Sequence, residues 1–177
     1  MGENDDIRGR LLASLAARGL LADDGVTTVH GEPAWREVPA GHESQALMDA
    51  NALQRRVVEC AHVTPATYAD QCATWVENVL ASAGVPYVVG SARELYEDFC
   101  RSIDARELLV GMIVAVGRHP YDAGGWAHGH VGLYVGDRRV MDSADGRVRT
   151  VPLELWASAY GVMSEPRWGW LGAVALG

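Results

Sequence analysis

Apolar positions along the chain change period near residue 110. Before it they recur every three or four residues, the spacing of a helix face; after it they alternate with small or polar residues, as in strands. Residues 7–21, IRGRLLASLAARGLL, place Ile7, Leu11, Leu12, Leu15 and Ala16 on one stripe, predicting an amphipathic helix that ends near Asp23-Asp24-Gly25. Residues 26–41 carry Gly31, Pro33, Pro39 and Gly41 and read as a loop, with a short strand at 26–29 and Trp35 as a cover over the core. A second helix is predicted over 42–62, where Ala46, Leu47, Ala50, Leu53, Val57 and Ala61 share a face, stopped by Thr64-Pro65. A third starts after Asp70 as N-cap and lines up Cys72, Trp75, Val76, Val79, Leu80 and Ala83 before Gly84-Val85-Pro86 ends it. Residues 92–101 make a further short helix.

Strands follow: 112–116, 130–135, 140–143, the RVRTVPL run from Arg147, and a last strand in RWGWLGAVAL, with a short helix at 153–159 between the last two. Residues 117–125 read as a polar loop holding His119 and Asp122, with Trp126 and His128 at its end. Helices first and strands afterwards predict an α+β fold, helices packed on an antiparallel sheet.

The pair 130–135 and 140–143 reads as a hairpin around Gly136-Asp137-Arg138-Arg139, with His130 on one strand and Asp142 on the other. Because side chains alternate faces, the turn length decides whether the two meet. A two-residue loop at Asp137-Arg138 sends Asp142 to the face opposite His130. A three-residue loop, or an equivalent bulge, pairs Gly132 with Asp142 and sets His130 diagonal to it, within reach. By itself the hairpin also fits a half-buried strand with an incidental histidine.

Length and composition bound the rest. At 177 residues, 49% hydrophobic and 21% charged, the chain suits one domain with a real core. A net charge of −8 and a pI near 5.1 give neither nucleic acid nor an anionic membrane an electrostatic attraction. The start, MGENDDIRGR, is acidic where a secretory signal needs a positive start and an apolar run, and no segment reaches the length of a membrane span, so a chain made in the cytoplasm is expected. Cys60, Cys72 and Cys100 are odd in number and lack CxxC spacing, which disfavours a disulfide framework and a thiolate zinc site.

That leaves Cys72 in the first turn of a helix, where the partial positive charge and unpaired N–H groups favour a thiolate. The same position also suits a small apolar core residue. His128, two residues before His130 and so on the same strand face, is the rival for a base. Cys72, His128, His130 and Asp142 are all zinc-ligand types, but neither metal nor cofactor is expected.

With Cys72 opening a buried helix and His130 on the second strand after it, the chain resembles the NlpC/P60 peptidases, papain-like enzymes related to the CHAP amidases. The resemblance rests on DQCATWV at 70–76, ELLVGMIVAV at 107–116, GHVGLYVGDRRVMDS at 129–143 and VRTVPLELW at 148–156. It implies a papain-like fold and a catalytic domain over residues 61–177; residues 1–60 lie outside the resemblance and read as an N-terminal helical extension packed on the same domain. Cys72 falls on the family nucleophile, His130 on the base and Asp142 on the orienting residue. Tyr68, Gln71, Trp126 and His128 are candidates for the substrate groove. The implied activity is a cysteine hydrolase cutting amide bonds in peptidoglycan peptides.

Two departures stand out: Gln71-Cys72-Ala73-Thr74 replaces the usual Asp-Cys-Ser-Gly, closer to CHAP domains, and Asp142 stands where His is commonest. The same Cys–His pair also suits an acyltransferase, and an inactive module that binds a wall peptide or a protein is a further alternative. Since the wall lies outside the membrane, release by phage lysis or by a dedicated secretion machine is expected.

Overall fold

The computed structural model describes residues 28–29, 32–33 and 45–177; the helix expected at 7–21 and Trp35 lie outside them. Strand β1 (Thr28–Val29), within the expected 26–29, pairs antiparallel with β2 (Glu32–Pro33).

Two helices, α1 (Gln45–Asp49) and α2 (Ala52–Val63), replace the single one expected over 42–62. The break is at Asn51, whose backbone is extended. Its side chain accepts from the Leu53 and Gln54 N–H groups at 2.9 Å each, while the Gln54 side chain accepts from the Asn51 N–H at 2.9 Å. This capping box satisfies the first donors of α2 and so sets a new start inside an apolar period that ran straight through it. Helix α2 crosses the position of the expected boundary at 60, and its Val57, Val58 and Ala61 belong to the core.

Helix α3 (Cys72–Ala83) buries the face its spacing predicts and also Ala73 and Glu77, because it is wedged between α2 and the sheet strands at 130–136 and 139–144. The Glu77 carboxylate accepts from the Gly90 N–H at 3.0 Å, which gives this buried acid a partner. Gly84, at φ 75, ends the helix in the left-handed conformation. Helix α4 (Ala92–Phe99) is closed at its start by a Ser91–Glu94 capping box.

The main sheet has five strands, all antiparallel to their neighbours. Strands β3 (Ile113–Val116), β4 (His130–Gly136), β5 (Arg139–Ala144) and β6 (Arg147–Pro152) form a meander, and β7 (Arg167–Gly169) returns to the free side of β3. β7 is shorter than the strand expected in RWGWLGAVAL: Gly172 takes φ 68 and the chain leaves the sheet in a 3-10 turn at Leu171–Ala173. Helix α6 (Leu153–Tyr160) covers β5 and β6. The protein is therefore α+β, with helices on a five-stranded antiparallel sheet, and no helix among the described residues is long and apolar enough to cross a membrane.

The expected polar loop at 117–125 instead feeds a short helix, α5 (Ala123–His128). Asp122 starts it by accepting from the Gly125 N–H at 2.6 Å, a local hydrogen bond that a period-based reading of six residues does not register.

Candidate active site

The β4–β5 turn decides the site. Asp137 and Arg138 both have positive φ, 52 and 54, as a two-residue type I′ turn requires, and Gly136 pairs with Arg139. Alone, this turn would send Asp142 away from His130. The register then slips by one: Tyr134 pairs with Val140 and Leu133 with Met141, leaving Val135 as a bulge. Continued one step, the register sets Gly132 opposite Asp142. A Cβ on Gly132 would lie 2.6 Å from Val140 Cγ1, 2.7 Å from the Met141 carbonyl and 3.2 Å from Asp142 Cβ, so the partner strand itself fills the space beside this glycine. His130 Nε2 and Asp142 Oδ2 are 2.8 Å apart, both residues buried.

Asp142 has no exposed surface and three further donors. The Arg149 guanidinium forks onto it, Nε to Oδ1 at 2.9 Å and Nη2 to Oδ2 at 2.7 Å, and the Trp156 indole N–H donates to Oδ2 at 2.9 Å. Burial by itself would raise this carboxyl, but the Arg149 charge and the His130 hydrogen bond outweigh it and hold Asp142 below the usual carboxylate range. An ionised Asp142 accepts, so the proton of neutral His130 sits on Nε2 and Nδ1 is its basic nitrogen. The Tyr160 ring stacks on the imidazole with centroids 4.3 Å apart, and Trp156 stacks on it at 5.8 Å. Trp156 and Tyr160 are four residues apart on α6 and so share the face laid over His130.

His119, placed by the sequence in a polar loop, is instead 1% exposed and meets the His130 ring edge-on at 5.8 Å. A Cβ on Gly125 would lie 1.9 Å from its Cε1, so only glycine permits this packing. Burial, reinforced by the neighbouring His130 and Arg149, lowers its pKa to about 2, so the ring is neutral at any working pH. The unfolded chain takes up this proton near pH 6.5 and the folded one does not, so stability is lost as pH falls below about 6.5, by about 2 kcal/mol at pH 5. Thermal melting should therefore fall steadily between pH 7 and 5 and fall less in His119→Gln; an equal slope in that variant would assign the acid sensitivity elsewhere.

Cys72 is the first residue of α3 and 7% exposed. Asp70, expected as the N-cap, takes φ 63, and Gln71 stands at the cap with no side-chain hydrogen bond. The approach to Cys72 is braced from the sheet. The Thr67 N–H donates to Ser143 Oγ at 3.0 Å, and the Thr67 hydroxyl donates to the Gln71 carbonyl at 2.8 Å. Ser143 is the residue after Asp142, so one strand ties down both sides of the site.

A cleft of about 330 Å³ contains Cys72, His130, His119, Gln71 and His128 on its walls, with Asp70, Asp122 and Asp145 around them. Burial, with the nearby Asp70 charge, raises the Asp122 carboxyl. His128 ends α5, separated from His130 by Gly129 at φ 72, so it is exposed and does not share the strand face expected of it. Tyr68 and Trp126 are exposed, 84% and 43%, and stand outside the residues lining this cleft. Among the described residues no group of three or more His, Cys, Asp or Glu side chains is placed to hold a metal ion.

Sequence reading missed Arg149, Trp156, Tyr160, His119, Thr67 and Ser143. Arg149 alone carried a usable signal: a two-residue Asp145-Gly146 turn places it opposite Asp142, and the observed register does so. No family model matches this chain, and no curated protein matches it.

Proposed function

We propose that the protein is a cysteine hydrolase with a papain-like, NlpC/P60-type arrangement that cleaves amide bonds in bacterial cell-wall peptides. The observation that carries this reading is the buried His130–Asp142 pair at 2.8 Å, whose His130 lines the same cleft as Cys72 at the start of α3. The substrate class comes from the resemblance of residues 129–143 and 70–76 to that family.

In this mechanism Cys72 Sγ, as thiolate, attacks the scissile carbonyl carbon. With Nε2 engaged by Asp142, proton exchange with Cys72 falls to His130 Nδ1. The oxyanion lies against the first N–H groups of α3, which the Gln71 side chain leaves uncapped and the helix dipole favours. The C–N bond breaks as His130 protonates the leaving amine. Water then gives a proton to His130 and its oxygen to the acyl carbon, the C–S bond breaks, and the free acid leaves.

The test is purified protein incubated with peptidoglycan peptides and followed by mass spectrometry. A hydrolase yields a free acid and a free amine; an added amine captured as a new amide would mark an acyltransferase, and unchanged peptide would leave a binding module.

Thiol chemistry checks the nucleophile without a substrate. Cys100 is fully buried, and burial pushes its thiol up to about 12, so it should be inert; Cys60 is half-buried on α2. Iodoacetamide at pH 6–7 is expected to alkylate Cys72 at least about tenfold faster than either, as read by peptide mass mapping. Equal slow labelling of all three would remove Cys72 from the role.

A further inference from the structure

We infer that Arg149 is a positioning residue of the same site, one that locks the Asp142 carboxylate and offsets its charge so that His130 can both give up and take back a proton. The inference rests on the hydrolase reading for its purpose, though not for its geometry.

Three observations meet at this side chain. Arg149 lies directly across from Asp142 in the β5–β6 register, so the two share a face. Its fork contacts both carboxylate oxygens, which fixes the plane of the carboxylate and with it the direction in which Oδ2 faces His130. Its Nη2 also donates to the Tyr160 hydroxyl at 2.7 Å, and the ring of that tyrosine is the one stacked on His130. Arg149 thus reaches the imidazole along two routes, through the carboxylate that bonds its edge and through the ring that covers its face.

The charge balance makes the consequence specific. Among the described residues, the titratable groups in contact or electrostatic interaction with His130, or sharing its cleft, include Asp142 from β5, Arg149 from β6, Tyr160 from α6, His119 from the loop after β3, Asp122 at the start of α5, and Cys72 from α3. His119 is neutral, and Asp122 and Asp142 both favour a protonated imidazole. A buried carboxylate at 2.8 Å with no counter-charge draws the ring toward the imidazolium, against the burial that favours the neutral form, and an imidazolium that persists after the amine has left has no lone pair with which to accept a proton from water. Arg149 supplies the opposing cation.

The experiment follows the His130 ring by NMR with carbon-labelled histidine in full-length protein carrying Cys72→Ala. Removing the thiol takes away its charge and makes the readout independent of turnover; the resonance is assigned by its loss in His130→Asn. The His130 titration midpoint in this background is the reference. Adding Arg149→Gln should raise it by at least about one pH unit, while Arg149→Lys, which keeps the charge, should stay within about half a unit of the parent. An unchanged midpoint in the Gln variant, or an equal shift in the Lys variant, would overturn the inference and leave Arg149 a structural pin. Should Arg149→Gln fail to fold, Arg149→Lys decides: a midpoint within about half a unit of the parent supports the inference, and a rise of about one unit or more overturns it. Failure of the hydrolase reading shows separately, as absent cleavage by the wild-type protein.

Discussion

Replacing Cys72 with alanine is expected, on the proposed hydrolase reading, to leave a folded protein whose cleavage of wall peptides falls by at least about a thousandfold, since removing one member of a nucleophile–base set costs about as much as removing the whole set. The substitution is mild for the fold. Cys72 is 7% exposed, sits beside other small residues at the helix start, and loses one sulfur at the edge of a cleft already open to solvent. The destabilisation should be about 1 kcal/mol, in the range of a small-volume core truncation. Two measurements made together settle it: thermal melting for the fold and mass-spectrometric product formation for the chemistry. A variant that melts like the parent and keeps full turnover would remove the nucleophile assignment and with it the proposed mechanism.

Asp142→Ala is expected to have the larger effect on the fold itself, about 3–5 kcal/mol, a large share of the total stability of a domain this size. The carboxylate is the shared acceptor for His130, for both arms of the Arg149 fork and for the Trp156 indole, and all four contacts lie where water is scarce. Without it the guanidinium is left beside neutral groups in a largely buried position, and the cost is mostly that of the stranded donors. The milder change Asp142→Asn keeps an acceptor oxygen but loses the countercharge. Urea denaturation is the measurement: Asp142→Ala should shift the midpoint strongly, Asp142→Asn by less. A shift worth under about 1 kcal/mol for the alanine variant would mean that water replaces the carboxylate freely, and that the pair is not the rigid unit its burial indicates.

What the sequence determined by itself was local and periodic. The face of α3 that holds Cys72 and Trp75 inward, the alternation of the strands and the helix-then-strand order could all be read, because burial averaged over a face leaves a period of 3.6 or 2 in the residues. The hairpin was legible too, and with it the two possible relations of His130 to Asp142. A choice between them was not, because the turn and the Val135 bulge each move the register by one residue, and their sum depends on how β4 packs between β3 and β5. Short polar choices were equally hidden: Asn51 starts a helix inside an apolar period, and Asp122 builds one turn of helix where the composition reads as loop.

The surroundings of the site belong to the tertiary structure alone. His119 comes from the loop after β3, Arg149 from β6, and Trp156 and Tyr160 from α6, four contacts made by segments distant along the chain from Cys72. Each lies in a stretch whose own pattern says only strand, loop or helix. Their pairing with His130 and Asp142 follows from sheet register and from the way α6 folds back over β5 and β6, and a charge or ring shows no partner in sequence until the chain has closed around it.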